Sequence, residues 1–141
     1  MTTPEAGAVD PALRARLEAA ADGLLYGSEG DEPFDFFALP WPEGEPVTLA
    51  AFAARLGAPA DATTKEIDLD RFLRHHVEHV DPYDAAAQAL RPRYERLRDA
   101  LRESVRELRV FRVGEVQVHC YAVGRDGRGN LAGLHTVAIE T

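Results

Sequence analysis

Cysteine is nearly missing. Cys120 is the only one in 141 residues, so no internal disulfide can staple the chain, and the count fits a reducing compartment. No apolar run approaches the roughly 20 residues that span a bilayer. The first seven residues, Met1 to Gly7, hold neither a basic segment nor an apolar one, so no secretory leader is expected and the expected location is cytoplasmic. Basic charge is in deficit: 16 Lys and Arg face 24 Asp and Glu, a net charge of −8. A nucleic-acid binder needs a basic footprint, so direct nucleic-acid binding is not expected, nor is a membrane partner. Lys65 is the single lysine beside fifteen arginines, which reads as a base-composition bias. Internal repeats and low-complexity runs are absent.

What remains is an ordinary globule. Its apolar content is 45%, and its length suits one domain by the usual prior of roughly 100–200 residues. Residues 1–9 read as a flexible tail and 10–141 as a single domain. The charge is uneven: residues 1–70 sum to −10 and residues 71–141 to +2. The densest acidic stretch holds Asp22, Glu29, Asp31, Glu32 and Asp35 with no Lys or Arg between them. Such a surface either solvates the fold or faces a basic partner.

Punctuation and periodicity divide the chain. Asp10-Pro11 is an N-cap followed by Pro at the first helical position, and Leu13, Leu17, Ala20 and Leu24 recur at helical spacing, predicting a helix to about Tyr26 that Gly27 ends. Ser28 to Glu32 reads as a loop and Pro33 to Leu39 as a strand. Pro40 to Pro46, with three prolines, must be irregular. Thr48 caps a short helix closed by Gly57, Thr64–Ile67 forms a short strand, and Asp68 or Asp70 caps another short helix. Asp81-Pro82 repeats the cap signal before a long helix whose stripe is Leu90, Tyr94, Leu97, Leu101, Val105 and Leu108. Its other face pairs Arg91 with Glu95, Glu95 with Arg98, Asp99 with Arg102 and Glu103 with Arg106; Pro92 marks a kink or a second start. Strands 110–113 and 116–123 flank a two-residue turn, Gly114-Glu115, and Leu131 to Glu140 is the last strand after a glycine-rich turn. The predicted order is αβαβααβββ, and a sheet with helices on both faces buries it best.

Few residues carry a chemical signature. His75, His76 and His79 crowd one segment, and on a helix His75 and His79 share a face that can ligate zinc. The order is not His-Glu-x-x-His and no third ligand is evident, so a polar helix face is the simpler account. Ser28 beside Glu29 lacks a nucleophile elbow and reads as a turn former. Cys120 reads as a buried, inert thiol. Gly124, Gly127, Gly129 and Gly133 precede a strand rather than a helix and form no phosphate loop. Trp41, between two prolines, is either a packing plug or an interface anchor. At the last residues, the Thr141 hydroxyl and a carboxylate would sit at the rim of an ordered strand, a donor set that suits Mg²⁺ or Ca²⁺. No catalytic group and no cofactor are expected.

Several stretches together resemble the nuclease A inhibitor-like proteins. They are Asp22-Gly23-Leu24-Leu25-Tyr26 with Ser28-Glu29 and Pro33-Phe34, then Ile67-Asp68-Leu69-Asp70 with Phe72, then Arg112-Val113-Gly114-Glu115-Val116, Gly129-Asn130-Leu131-Ala132-Gly133-Leu134 and Glu140-Thr141. The resemblance covers roughly residues 10–141. It implies a three-layer α/β/α sandwich with a small mixed sheet, akin to the plant pathogenesis-related protein 1 fold. It also implies a non-enzymatic inhibitor that covers the active site of a sugar-non-specific, ββα-metal endonuclease. There Thr141 would give oxygen to the partner's catalytic Mg²⁺ and Glu29 would meet basic groups of the enzyme. The family inhibitor also uses a Gln and a Trp before the long helix, where this chain has Val80 and Pro82; Asp81 and Tyr83 match, and Trp41 or Tyr83 is available as an anchor. The expected contact set is Glu29, Asp31, Glu32, Trp41, Asp81, Tyr83, Glu140 and Thr141. The other expectations to be weighed are an acidic interaction module with a non-nuclease partner and a His75/His76/His79 metal-binding protein.

Overall fold

Asp10 accepts a hydrogen bond from the Ala12 amide at 3.0 Å, and Pro11 opens helix α1, Pro11–Ala21, in a computed structural model that describes residues 7–141. Residues 1–6 of the predicted tail lie outside the described residues. The helix stops five residues before Tyr26, the predicted end. Gly23 turns the chain at a φ of +74°, and from Leu24 the burial alternates every second residue. That is a strand period, and Leu25–Gly27 is strand β1. It pairs antiparallel with β2, Asp31–Pro33, in a two-stranded sheet that takes in the predicted helix end at Leu25–Tyr26 and part of the predicted loop Ser28–Glu32.

The main sheet follows. β3 (Asp35–Pro40), β4 (Thr64–Ile67), β5 (Arg106–Val113), β6 (Gln117–Arg125) and β7 (Asn130–Ile139) lie in the order β3-β7-β6-β5-β4. All four pairings are antiparallel, so among the described residues the sheet is not the mixed one that the resemblance implied. Between the strands sit α2 (Leu49–Leu56), α3 (Leu69–Phe72), α4 (Arg74–Val77) and α5 (Ala85–Ser104). Thr48 caps α2 and Gly57 ends it in the left-handed region, both as predicted. Asp68 caps α3 through the Arg71 amide at 2.7 Å.

Helix α5 is displaced from its prediction at both ends. Its cap is Asp84, which accepts from the Ala87 amide at 3.0 Å, while Asp81 closes the turn before it. It ends at Ser104, because Val105 is extended at a φ of −136°. Val105 and Leu108 therefore reach the core from an extended segment and β5, and β5 starts at Arg106 rather than Val110. Of the four predicted helix pairs, Arg91–Glu95 forms and three are replaced: Arg98 meets Asp99 at 3.4 Å, Arg102 meets Asp70 at 2.8 Å, and Arg106 meets Glu43 at 3.3 Å. The turn after β5 is also wider than two residues: the register closes at Val113 opposite His119.

Alternation along the strands separates two cores. Val110, Val118, Cys120, Ala122, Ala132, Leu134 and Ala138 pack with α1, α3, α4 and α5. Leu39, Phe111, Val123 and Leu131 pack with α2 and Trp41. At Gly133 on β7 a Cβ would overlap the Ala122 carbonyl of the neighbouring strand β6.

Candidate functional site

The β1–β2 hairpin turns through Ser28, Glu29 and Gly30 at the end of β7. Ser28 is a turn former, as predicted. Its Oγ accepts from the Gly30 amide at 3.2 Å and from the Ile139 amide at 2.9 Å, and its own amide donates to the Gly30 carbonyl at 2.8 Å. The Glu29 amide donates to the Ile139 carbonyl at 3.2 Å. These bonds tie the acidic turn to the strand that ends beside it.

Glu29 and Thr141 then meet across 112 positions of sequence. The carboxylate accepts from the Thr141 amide and, at 2.7 Å, from the Thr141 hydroxyl. Both bonds favour the ionised form, so they hold the Glu29 carboxyl below its ordinary value, the backbone bond contributing most. Both residues are exposed. They border a shallow cleft of about 380 Å³ that Tyr26, His75 and Ile139 also line. Glu140 also borders the cleft and is held in an ion pair with Arg112.

The turn is anchored from below by the histidines. The Gly27 amide donates to His76 Nε2 at 3.0 Å, and His75 Nε2–H donates to the Gly27 carbonyl at 2.6 Å. His76 stacks on Tyr94 at 3.9 Å, and the Tyr94 hydroxyl donates to the Leu25 carbonyl. Tyr26 stacks on Phe72 at 4.6 Å and donates to the Phe72 carbonyl at 3.0 Å. Burial lowers the affinity of both histidines for a proton; His76, with His75 as a second cause, falls to about 4. The Nε2 atoms of His75 and His76 are thus engaged by Gly27 and not gathered around an ion. Among the described residues, no three His, Cys, Asp or Glu side chains are placed to hold a metal.

The other predicted residues scatter. Asp31 is exposed on β2, beside the turn, and Glu32 is half-buried. Tyr83, 95% exposed, stands with Asp81 in the loop between α4 and α5. Trp41 is 1% exposed; its Nε1–H donates to the Glu45 carbonyl at 3.1 Å and the Arg55 guanidinium lies 4.5 Å over its ring. This is the packing plug, and burial removes Trp41 from the contact surface. Cys120 is buried and its thiol is pushed up to about 11 by desolvation. No described helix is long and apolar enough to cross a membrane.

The anchoring role of His75 and His76 escaped the sequence reading, because nothing in local spacing ties them to Gly27. A family model described as nuclease A inhibitor-like protein matches residues 11–141. No curated protein matches.

Proposed function

The chain belongs to the nuclease A inhibitor-like family, and from that premise we propose that it is a non-enzymatic, cytoplasmic inhibitor of a Mg²⁺-dependent, sugar-non-specific nuclease of the ββα-metal type. Residues 10–141 form the inhibitory domain, in the three-layer α/β/α arrangement that the family resemblance implies, and residues 1–9 a tail. The observation that carries the reading is the Glu29–Thr141 pair: an exposed acidic turn and an exposed hydroxyl are held together on one rim.

The physics of such a blocker follows from its target. A nuclease cleft is basic because it holds phosphates, and an acidic surface is drawn into it. Mg²⁺ keeps exchangeable waters, so the Thr141 hydroxyl can take one position in the partner's ion. Glu29 fixes that hydroxyl and presents charge to the cleft's basic groups. Asp31 extends the acidic rim, and Tyr83 supplies an exposed aromatic anchor beside Asp81 in place of the Gln and Trp that Val80 and Pro82 replace. Glu140, already neutralised by Arg112, acts by holding the strand end rather than as a free charge.

The test is titration of the chain into a DNA-cleavage assay with a ββα-metal nuclease from the same source. Stoichiometric loss of cleavage is expected, with Thr141→Val at least tenfold weaker. Undiminished cleavage at excess protein overturns the reading. Affinity capture that repeatedly returns a partner other than a nuclease selects an acidic interaction module on the same fold.

A further inference from the structure

On the face of the sheet that α2 covers only in part, three side chains distant in sequence form a hydrogen-bonded row. His135 on β7 stands directly opposite Asp35 on β3 and is a diagonal neighbour of His119 on β6. His135 Nδ1–H donates to Asp35 Oδ1 at 2.8 Å, and His135 Nε2 lies 2.9 Å from His119 Nδ1. The rings of the two histidines lie 5.2 Å apart, 19° from parallel, and Tyr121 flanks His135 at 5.0 Å. The site invoked for the protein's function uses none of these groups.

Asp35 decides the tautomer. With its proton on Nδ1, neutral His135 carries its lone pair on Nε2, aimed at His119. A carboxylate behind an imidazole in this way is the usual support of a metal-ligating histidine. His119 meets that lone pair with an Nδ1–H; moving this proton to its own Nε2 sets a second lone pair beside the first, and no proton need leave the protein. Two nitrogens bound at about 2.0–2.1 Å to one ion stand about 2.9 Å apart at a right angle and about 3.3–3.4 Å apart at the tetrahedral angle. The observed 2.9 Å is the length of the His119–His135 hydrogen bond. Turning the rings so that both lone pairs converge on one ion needs the nitrogens to stay within this range of about 2.9–3.4 Å, and among divalent first-row ions imidazole nitrogen favours Cu²⁺. The His135 side chain is 18% exposed and that of Asp35 69% exposed, so the ring is held while the row stays open to solvent.

We propose that His119 and His135 form an open two-imidazole site for a divalent first-row ion, Cu²⁺ ahead of both Ni²⁺ and Zn²⁺, with Asp35 as the positioning residue. Water fills the remaining positions, since among the described residues no third side chain joins the two imidazoles. The site is independent of the inhibitory rim and its test does not involve a nuclease.

The experiment is calorimetric titration of the untagged full chain with CuCl₂, NiCl₂ and ZnCl₂, with electron paramagnetic resonance of the copper complex. One equivalent of Cu²⁺ is expected, with nitrogen splitting from two imidazoles and affinity higher for Cu²⁺ than for Ni²⁺ or Zn²⁺. His119→Gln and His135→Gln each weaken Cu²⁺ binding more than tenfold. Asp35→Asn, at a side chain 69% exposed on the edge strand β3, weakens it about tenfold and alters the splitting. His75→Gln and His79→Gln leave binding unchanged. Absence of one-to-one binding, binding indifferent to residues 119, 135 and 35, or binding lost with residues 75 and 79 overturns the proposal.

Discussion

Glu29 combines full exposure with a lowered pKa, and the cause is two hydrogen bonds rather than burial. A carboxyl whose folded pKa is depressed keeps its contribution above the ordinary value of 4.5 and loses it as pH falls through the lowered one. The Thr141 amide resonance is therefore expected to titrate with a midpoint below 4.5, and Glu29→Gln to abolish that titration; a midpoint at the ordinary value counts against the latch. His76 behaves in the same sense for a base. Its folded pKa of about 4 lies below the ordinary 6.5, so the unfolded chain binds the extra proton between those values. Stability is complete above pH 6.5 and declines as pH falls toward 4. His76→Phe keeps the stack on Tyr94 but leaves the Gly27 amide without an acceptor, at a cost of about 1–3 kcal/mol. Urea unfolding at pH 7.5 checks the cost, and a flatter profile between pH 6.5 and 4 checks the proton. The family resemblance marked Glu29 and Thr141 as candidates; their 2.7 Å contact depends on two segments at opposite ends of the chain.

At the scale of elements, local signals succeed where one short-range rule governs and fail where two compete. Thr48 and Gly57 bound α2 without rivals, and the structure agrees. Leu13, Leu17 and Leu24 fit a helix, yet Leu24 reaches the core from beyond the turn at Gly23, because its burial is served equally by a strand. Val105 and Leu108 also satisfied helical spacing, but the pairing of Arg106–Val113 with β6 offers more backbone hydrogen bonds than another helical turn. The sheet itself depends on close approach. At Gly133 a methyl group would collide with the Ala122 carbonyl on the neighbouring strand, where backbone cannot yield cheaply. Gly133→Ala is expected to cost about 2–3 kcal/mol or more, read as a lowered urea midpoint; a change within 0.5 kcal/mol would mean that β6 and β7 separate easily.

For the whole molecule the net charge of −8 is a statement about encounter, not fold. If the acidic rim is steered into a basic cleft, the association rate with the nuclease falls several-fold between roughly 50 and 200 mM salt while dissociation changes little. Stopped-flow association with the purified pair measures this, and a salt-independent on-rate removes steering from the mechanism. Composition, capping residues and apolar spacing were sufficient to determine a mixed α/β chain, its acidic first half and its inert thiol, since these are set by residue type and by neighbours a few positions away; the family was legible only as a resemblance carried by several motifs spread from Asp22 to Thr141. Tertiary structure alone decided that the sheet is antiparallel, that Trp41 is buried, that His75 and His76 grip Gly27, and that Asp35, His119 and His135 form a row. Each of those depends on contacts between residues tens of positions apart, and no local rule carries the register that brings them within hydrogen-bonding distance.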